Sequence, residues 1–435
     1  MLYAIGVAIF ALGLLVSIAL HEVGHMVPAK KFGVKVTQYM VGFGPTLWSR
    51  KKGDTEYGLK AVPLGGYIRM IGMVPPRVDG KASRWPRRMA TAIEDFRQVS
   101  RAEIDPQDEH RQFYRLTPGK KMIIMLGGPC MNLLIYLVLT VILLMTLGTR
   151  HDDVTSRVGA ISQCVVKANA LPAKQADCTG LPSSPAAAGG LKTGDTLVSI
   201  DGTQVASWDQ AVSIIEASPG KALNVVVDRS GKPVDLSITP VINTKCANDN
   251  CTAYKQAGFI GVSPHINRHY QGLALTAVPG EISSQIHQGW DRLMQYPARI
   301  GDLWQTIFDG KKRNINSAVG VVGIGRISGD FASSNAFDLQ DKIVLLVGLL
   351  ASVNLLLFFF NLLPLLPLDG GHVAGAIVEA TRRGWSRIRG RGRKQIFVDT
   401  AQMLPVMYAV ASLLIVLTLL TLYADIVKPV HVPGG

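Results

Sequence analysis

The chain has 435 residues, of which 48% are hydrophobic and only 17% are charged, and its formal net charge is +14. It is too long for one domain and too apolar for an ordinary soluble enzyme. The basic residues collect beside long apolar runs, as orientation in a membrane requires, so the positive charge does not indicate nucleic-acid binding.

Four uncharged apolar runs predict four transmembrane helices, because each is long enough to cross a hydrocarbon core of about 30 Å. They cover residues 1–20, 122–149, 343–368 and 400–424. The first run has no basic n-region and leads directly into a chemical motif, so we expect it to be retained rather than cleaved as a secretion signal. Lysines and arginines follow the first run, precede the second and separate the third from the fourth. These flanks are therefore expected to be cytoplasmic, with both termini and residues 150–341 outside.

The first run ends in the sequence His21-Glu22-Val23-Gly24-His25, within a predicted helical segment 1–35. On a helix the two histidines lie one turn apart on the same face, so both imidazoles can bind one metal ion. Glu22 can then serve as general base for water held by that ion. Titratable groups are costly at membrane depth, which indicates a functional site. The alternative is a helix end at the membrane interface, where the histidines are merely hydrated.

Residues 36–75 predict a β-hairpin that folds back against this helix, because two apolar arms flank a polar turn. Its free edge would pair with an extended substrate segment by strand addition. Four glycines indicate bends and close backbone approach and are candidate substrate-binding positions: Gly42, Gly44, Gly65 and Gly66. The alternative is a cytoplasmic hairpin without a role in the chemistry. We assign no chemistry to the polar loop 76–121, in which a short surface helix is expected around 88–98.

The second transmembrane helix, predicted at 122–149, opens with the sequence Gly127-Gly128-Pro129-Cys130-Met131-Asn132. The glycines permit close helix contact, and Asn132 needs a polar partner inside the helix bundle. We consider Asn132 a candidate for contact with a metal ligand or a bound peptide, and an ordinary helix–helix hydrogen bond is the equal alternative. Cys130 is expected to be only a small apolar side chain.

Residues 156–268 predict a compact β-rich domain outside the membrane. After the block Gly190–Asp195, the expected elements are a strand at 197–200, an amphipathic helix at 208–217 and strands at 222–228 and 234–239. This order resembles a PDZ domain of the bacterial protease-associated kind. Such domains commonly receive a peptide by strand addition beside the helix.

Four of the five cysteines fall in this external segment, and an even number in an oxidising compartment predicts disulfides. Proximity in sequence favours the pairs Cys164–Cys178 and Cys246–Cys251 among three possible connectivities. Metal binding by the four cysteines is the alternative, although neither spacing matches a zinc ribbon. The connector 270–341 is expected to contain an amphipathic helix near 281–307 on the outer membrane interface. Its glycine-rich segment 319–325 is interpreted as packing or a turn.

The third transmembrane helix is predicted at 342–376 and carries Asp369 and His372 beyond two prolines. A carboxylate at the end of an apolar helix is costly unless it has a cationic partner. Zinc held by two histidines needs a third protein ligand, and Asp369 and His372 are the two candidates. Asp369 is our choice, because it is the deeper of the two. A basic loop at 377–399 and a fourth transmembrane helix at 400–425 complete the chain.

Taken together, the motifs resemble the site-2 protease family of intramembrane zinc metalloproteases, above all its bacterial regulator-of-sigma-E protease branch and actinobacterial Rip relatives. The motifs are His-Glu-Val-Gly-His at 21–25, Gly-Phe-Gly-Pro at 42–45, Pro-Leu-Gly-Gly-Tyr at 63–67, the single PDZ-like insert and the Asn-Leu-Leu-Pro…Leu-Asp-Gly-Gly-His sequence at 361–372. The resemblance implies His21, His25 and Asp369 as zinc ligands and Glu22 as the catalytic base. It also implies that Asn361 contacts substrate and that 37–73 is a membrane-reentrant β-region.

The expected fold is a polytopic α-helical membrane protein with about four transmembrane helices, a membrane-associated β-hairpin region and an inserted extracytoplasmic PDZ-like α/β domain. The resemblance implies regulated cleavage, in the bacterial cytoplasmic membrane, of single-span proteins such as anti-sigma factors that have already been trimmed outside. The PDZ-like domain would act as a size filter. Two other classes stay open: a membrane receptor whose PDZ module only docks peptide tails, and a metal transporter, which would be expected to show inverted repeats.

Overall fold

The computed structural model describes residues 1–77, 85–102, 104–165, 178, 180–246, 254–309, 313, 317–335, 337–389 and 397–430. The chain forms two compact units. Unit 1 comprises Met1–Leu147 and Leu273–Gly435, and unit 2 comprises Gly148–Gly272. A β-rich unit is therefore inserted between two helical parts of the chain.

Unit 1 contains the helices of the protein that are long and apolar enough to cross a membrane, four of them in the described part of the chain. Its helices are α1 (Leu2–Lys31), α2 (Arg87–Ala102), α3 (Pro118–Thr146), α6 (Val278–Met294), α7 (Tyr296–Phe308), α8 (Val321–Ser333), α9 (Leu339–Leu362), α10 (Asp369–Ile388) and α11 (Leu404–Val427). The four candidate spans are α1, α3, α9 and α11 with its preceding turn. The prediction of a polytopic helical protein with an inserted β-rich unit is confirmed at this level.

Strands β1 (Val36–Lys52) and β2 (Thr55–Met70) form the predicted hairpin, which folds over on itself. The first part of β1 pairs on both sides, so that Met40 is opposite both Tyr67 and Gly58. The end of β2, residues 66–70, consequently pairs with β1 along one of its edges. Gly42, with a φ of +93°, lies at the bend that makes this arrangement possible.

The prediction of one continuous third transmembrane helix at 342–376 is wrong, because the segment is divided into two helices. Helix α9 ends at Leu362, and a new helix, α10, begins at Asp369. Pro364 and Pro367 lie in the break, because proline lacks the backbone N–H that a continuing helix requires. The basic loop expected at 377–399 is also partly helical, since α10 continues to Ile388.

The connector departs from prediction in two places. The single amphipathic helix expected near 281–307 is split into α6 and α7, with Pro297 in the first turn of α7, where the missing N–H costs no helical bond. The glycine-rich segment 319–325 is not a turn, because α8 begins at Val321. Its expected packing role holds, since the Gly320 and Gly323 N–H groups donate to the buried Asp425 carboxylate.

Unit 2 has a sheet in the order β10-β3-β4-β6-β7, with β5 paired to β4, and a separate β8–β9 hairpin. Its elements are β3 (Thr149–Ile161), α4 (Pro185–Ala188), β4 (Thr196–Ile200), β5 (Thr203–Gln204), α5 (Trp208–Glu216), β6 (Leu223–Arg229), β7 (Lys232–Ile238), β8 (Val241–Cys246), β9 (Tyr254–Phe259) and β10 (Val262–Gln271). A core that includes Val158, Ile200 and Val227, each fully buried, joins the sheet to α5. The β8–β9 hairpin was not predicted, and the unit extends beyond the expected limits 156–268.

Cys164 and Cys178 are joined by a disulfide in unit 2. The second expected disulfide, Cys246–Cys251, stays a prediction, because Cys251 and the Cys246 side chain lie outside the described residues. Cys130 of α3 is a free, exposed cysteine.

Candidate metal centre

Three side chains from opposite ends of the chain converge at the carboxyl-terminal part of α1. His21 and His25 lie one turn apart on α1, and their Nε2 atoms are 3.2 Å from each other. Asp369, the first residue of α10, places its Oδ2 atom 3.4 Å from His21 Nε2 and 3.3 Å from His25 Nε2. The break between α9 and α10 turns this carboxylate toward α1. Among the described residues, His21, His25 and Asp369 form the group of three potential ligands whose atoms lie close enough together to hold one metal ion.

The spacing of the three ligand atoms fits zinc. Nitrogen and oxygen ligands bind zinc at about 2.0–2.2 Å, and two vertices of a tetrahedron of that size are about 3.3–3.6 Å apart. The observed separations of 3.2–3.4 Å lie at the lower end of this range. Two imidazoles and one carboxylate are also a ligand set that catalytic zinc sites use, with a fourth position left for water or substrate.

The orientation of His25 is fixed by the backbone of α3. Its Nδ1 atom lies 2.8 Å from the Ile124 carbonyl oxygen, which can only accept a hydrogen bond. Nδ1 therefore carries the proton, and Nε2 is left with its lone pair directed at the cluster. His21 Nδ1 is buried without a partner in the described part of the chain.

Glycines allow α1 and α3 to approach closely enough for this contact. A methyl group on Gly24 would overlap the Gly127 backbone, and one on Gly127 would overlap the Gly24 carbonyl. A methyl group on Gly128 would overlap His25 Nε2 and lie 2.7 Å from His21 Nε2. The predicted role of these glycines in close helix contact therefore extends to the metal cluster itself.

Glu22 is enclosed between α1 and the hairpin, with 8% of its surface exposed. The Ile68 backbone lies close to the Glu22 carboxylate. Gly66 packs against the same side chain, since a methyl group there would lie 3.0 Å from Glu22 Cγ. The Tyr39 hydroxyl donates to the Ala19 carbonyl at 2.8 Å, which ties the hairpin to α1. The end of β2 thus lies beside the carboxylate next to the metal cluster.

The other candidate residues lie at varying distance from this centre. Asn132 is buried one turn beyond Gly128 on α3, and its Oδ1 atom has no hydrogen-bond partner in the described part of the chain. Asn361 is half-buried in the last turn of α9. His372, the rival third ligand, lies near Asp369 but is not among the three residues of the cluster. Gly42 and Gly44 lie in the bent part of β1, and Gly65 packs against Phe43.

Sequence reasoning missed two features that hold the centre together. The Ile124 carbonyl has no sequence signal, because any residue offers one. The buried Lys121 Nζ donates to Glu379 Oε2 at 2.8 Å and joins α3 to α10. Lys121 was recognisable only as a basic flank of an apolar run, and nothing in the sequence pairs it with a residue 258 positions away.

Unit 2 contains a separate groove of about 990 Å³. It is lined by Trp208, Val212 and Ile215 of α5 and by Phe259, Ile260 and Val262 at the junction of β9 and β10. At one end, Glu216 of α5 forms ion pairs with Lys245 and Lys255 of the β8–β9 hairpin.

Comparison with known proteins gives a consistent set of relatives. The model of peptidase family M50 matches residues 9–402. The chain is 32% identical over 442 aligned residues to zinc metalloprotease Rip1 of Mycobacterium tuberculosis, and the match covers 99% of both chains. It is 26% identical over 411 residues to zinc metalloprotease RasP of Geobacillus kaustophilus, with 83% of this chain and 86% of RasP covered. Metalloprotease MmpA of Caulobacter vibrioides is 25% identical over 385 residues, with 86% of each chain covered.

Proposed function

Because this chain belongs to peptidase family M50, the site-2 protease family of zinc metalloproteases, we propose that it hydrolyses a peptide bond within the transmembrane segment of single-span membrane proteins. Membership confirms the family resemblance of the motifs, and the chain is accordingly an intramembrane protease with zinc as cofactor. The proposed substrates are proteins of the anti-sigma-factor type, cleaved during regulated intramembrane proteolysis in the bacterial cytoplasmic membrane.

The observation that carries the proposal is the convergence of His21, His25 and Asp369 beside the buried Glu22. The two imidazoles and the carboxylate would hold the ion. When bound, zinc acts as a Lewis acid that polarises the scissile carbonyl and makes water more acidic. Glu22 accepts the proton of the attacking water and delivers it to the leaving amine as the peptide bond breaks. The packing of Gly66 and of the nearby Ile68 backbone would keep the Glu22 carboxylate next to the metal cluster.

The hairpin supplies a place for an unwound substrate. A peptide bond in a transmembrane helix is hidden by its own hydrogen bonds, so the helix must open before it is cut. The end of β2, residues 66–70, pairs with β1 along one edge and lies beside Glu22 through Gly66, and its second edge pairs with no strand in the described part of the chain. An extended substrate strand added to this second edge would regain the backbone bonds lost on unwinding. Gly65 and Gly66 let β2 pass close to Phe43 and Glu22. Asn132 and Asn361 would contact the side chains or the backbone of the added strand.

We assign a sorting role to unit 2. The element order of unit 2 and the groove beside α5 support the PDZ-like assignment. The Cys164–Cys178 disulfide supports an outside location for this unit, because disulfides persist in oxidising compartments. The basic flanks of the apolar runs would then place both chain termini on the same side. In this arrangement the unit would exclude substrates whose external part has not been removed, and its groove would receive a peptide tail.

Glu22→Gln tests the proposed chemistry. The purified, zinc-loaded chain is incubated with a labelled single-span substrate, and the cut is located by mass spectrometry. Glu22→Gln should lower the cleavage rate by about 10²–10⁴-fold, because an amide cannot accept the proton. Its zinc content should equal that of the unsubstituted protein, since Glu22 is not among the three ligands. Cleavage that continues at the full rate in Glu22→Gln, or a cut outside the transmembrane segment, would refute the proposal.

A further inference from the structure

Helix α10 has one face that the active site uses and another that it does not. On the inner face, Asp369 belongs to the metal cluster, Ala376 is buried and the buried Glu379 pairs with Lys121 of α3. On the outer face, four large apolar side chains are exposed: Ile377 by 50%, Val378 by 41%, Trp385 by 59% and Ile388 by 83%. At about 100° per residue these four fall within an arc of roughly 100°. The helix is therefore amphipathic with two opposite contact faces.

The outer face is bordered by positive charge. Arg382 and Arg389 fall beside the apolar arc on the helical wheel, and the Arg389 guanidinium lies 4.7 Å from the centre of the Trp385 ring. The sequence around them is strongly one-sided, with seven basic residues at 382, 383, 387, 389, 391, 393 and 394 and no acidic residue from 380 to 398. Arg382 makes no ion pair within the described ranges, whereas Arg383 is engaged by Glu379 on the inner face.

The combination of an apolar stripe, a tryptophan and bordering arginines is typical of helices that lie in the membrane interface rather than across it. Helix α10 is not among the candidate spans found in the described part of the chain. An apolar face alone would suit a protein partner as well as lipid. The concentration of arginines favours a negatively charged surface that also accepts apolar side chains, and anionic phospholipid provides both features at once.

We propose that the outer face of α10, formed by Ile377, Val378, Trp385 and Ile388 with Arg382 and Arg389, is a binding site for anionic phospholipid. The apolar side chains enter the acyl-chain boundary, and the two arginines bind headgroup phosphates. The same helix begins with Asp369, so the membrane surface would hold the element that carries the third metal ligand.

The test measures the distance of Trp385 from defined lipids. The full-length, zinc-loaded protein is reconstituted in phosphatidylcholine bilayers that contain equal minor fractions of either brominated phosphatidylglycerol or brominated phosphatidylcholine. Bromine quenches tryptophan emission at short range, and subtraction of the Trp385→Phe variant isolates the contribution of Trp385. We expect stronger quenching by phosphatidylglycerol, and the ratio of the two lipids should fall toward one at high salt because screening weakens the charge attraction.

Arg382→Gln combined with Arg389→Gln should also bring the ratio close to one. Each basic side chain near an anionic surface contributes about a fivefold factor in binding, so that the pair contributes about 25-fold. Arg87→Gln combined with Arg88→Gln is the matched control, because these two arginines are also exposed and begin an amphipathic helix, α2, that has exposed apolar side chains of its own. It should leave the ratio unchanged. Only variants with full zinc content are compared. If the α10 variants lose zinc, the test rests on the unsubstituted protein, in which the quenching ratio should fall at high salt.

Three results would overturn the proposal. Equal quenching by the two brominated lipids in the unsubstituted protein would show no preference for anionic headgroups. Absence of quenching by both would mean that a protein partner or solvent covers Trp385. If the control pair lowers the quenching ratio as much as the α10 pair does, the preference for anionic lipid comes from the net charge of the protein and not from a site on α10. The measurement does not depend on proteolysis, and repeating it in Glu22→Gln separates its failure from failure of the proposed function.

Discussion

Gly128 lies where α1 and α3 cross, and its lack of a side chain leaves room for the two metal-binding imidazoles. Its Cα faces the imidazoles of His21 and His25, while the neighbouring Gly127 faces the backbone of Gly24. The hydrogen bond from His25 Nδ1 to the Ile124 carbonyl requires the same close approach of α1 and α3. At the scale of the residue, the site depends on glycine at the helix crossing as much as on the ligands.

Gly128→Ala should therefore impair zinc binding without removing a ligand. The added methyl group displaces both imidazoles, and disturbances of the groups that orient metal ligands typically weaken metal binding by about 10–100-fold. Gly119→Ala is the matched control on the same helix, because nothing lies within 4 Å of the position its methyl group would take. Zinc content after dialysis against a graded chelator series measures the effect. Equal zinc retention by the two variants would contradict the role given to Gly128.

Helix α10 connects the metal cluster to the rest of unit 1 through a buried ion pair. Lys121 and Glu379 have side chains that are 7% and 3% exposed, and Arg383 also pairs with Glu379 from the next turn. Buried ion pairs contribute little net stability when compared with apolar replacements, but an isolated buried charge is strongly destabilising. The pair thus specifies how α10 is seated on α3.

We expect Glu379→Met to destabilise the protein by about 3–5 kcal/mol, because it leaves the Lys121 ammonium buried without its partner. Lys121→Met should cost less, since Glu379 keeps Arg383. The double variant Lys121→Met/Glu379→Met should recover most of the stability lost in Glu379→Met. Thermal unfolding in detergent, with zinc content recorded in parallel, measures these differences. If the double variant is as unstable as Glu379→Met, the loss does not come from the unpaired charge.

In unit 2, a carboxylate holds the turn before β4 against the end of β6. Asp195, whose side chain is 2% exposed, accepts hydrogen bonds from Arg229 Nε and Nη2 at 2.8 and 2.7 Å and from the Lys192 N–H. The Arg229 guanidinium holds the pKa of Asp195 below its ordinary value. The folded state therefore gains stability from this group above the ordinary carboxyl pKa of about 3.9, and that gain is lost as the pH falls through the lowered value.

Asp195→Asn should make the stability of unit 2 less sensitive to acid. In the unsubstituted protein, protection of the β4 and β6 amides from hydrogen exchange should fall as the pH is lowered below about 4, after correction for the intrinsic exchange rate. In Asp195→Asn the protection should be lower at neutral pH and should change less over the same range. An identical acid dependence in both proteins would assign the effect to other groups.

The chain combines a helical unit that carries the four candidate spans with a β-rich unit that is inserted between Leu147 and Leu273. Within unit 2, Thr149 at the start of β3 pairs with Gln271 at the end of β10, so the two ends of the insert are adjacent. In unit 1, the Leu273 N–H donates to the Leu144 carbonyl at 3.0 Å, directly beyond the same junction. The helical unit can consequently be closed by a short linker in place of the insert.

Replacement of Gly148–Gly272 by a short glycine-serine linker tests the proposed size filter. Cleavage of full-length, untrimmed substrate should rise toward the rate seen with trimmed substrate, because the obstacle to entry is removed. Cleavage of trimmed substrate is the internal control and should change little, and the same replacement in Glu22→Gln should give no product. If untrimmed substrate stays uncut while trimmed substrate is still cleaved, unit 2 does not act as a filter.

The amino-acid sequence by itself determined the features that depend on local spacing. The four apolar runs predict the four candidate spans, and the positions of His21, Glu22 and His25 follow from one turn of helix. The hairpin and the strand–helix order around α5 are also readable, because alternation and glycine turns act over a few residues. Two prolines near 364 and 367 signalled disturbance, although the sequence did not show that a new helix begins at Asp369.

Tertiary structure alone decided which distant groups meet. The sequence favoured Asp369 over His372 by depth and by the family resemblance, but whether Asp369 reaches the histidines depends on how the chain turns between α9 and α10. The Lys121–Glu379 pair, the contact of Gly128 with the imidazoles and the packing of Gly66 against Glu22 are equally non-local. Hydrophobic patterns indicate which face of a helix or strand is buried, but they do not indicate which residues of another element cover that face. That choice is made only when the packed helices bring particular polar groups within bonding distance, where an unpaired one would be too costly to bury.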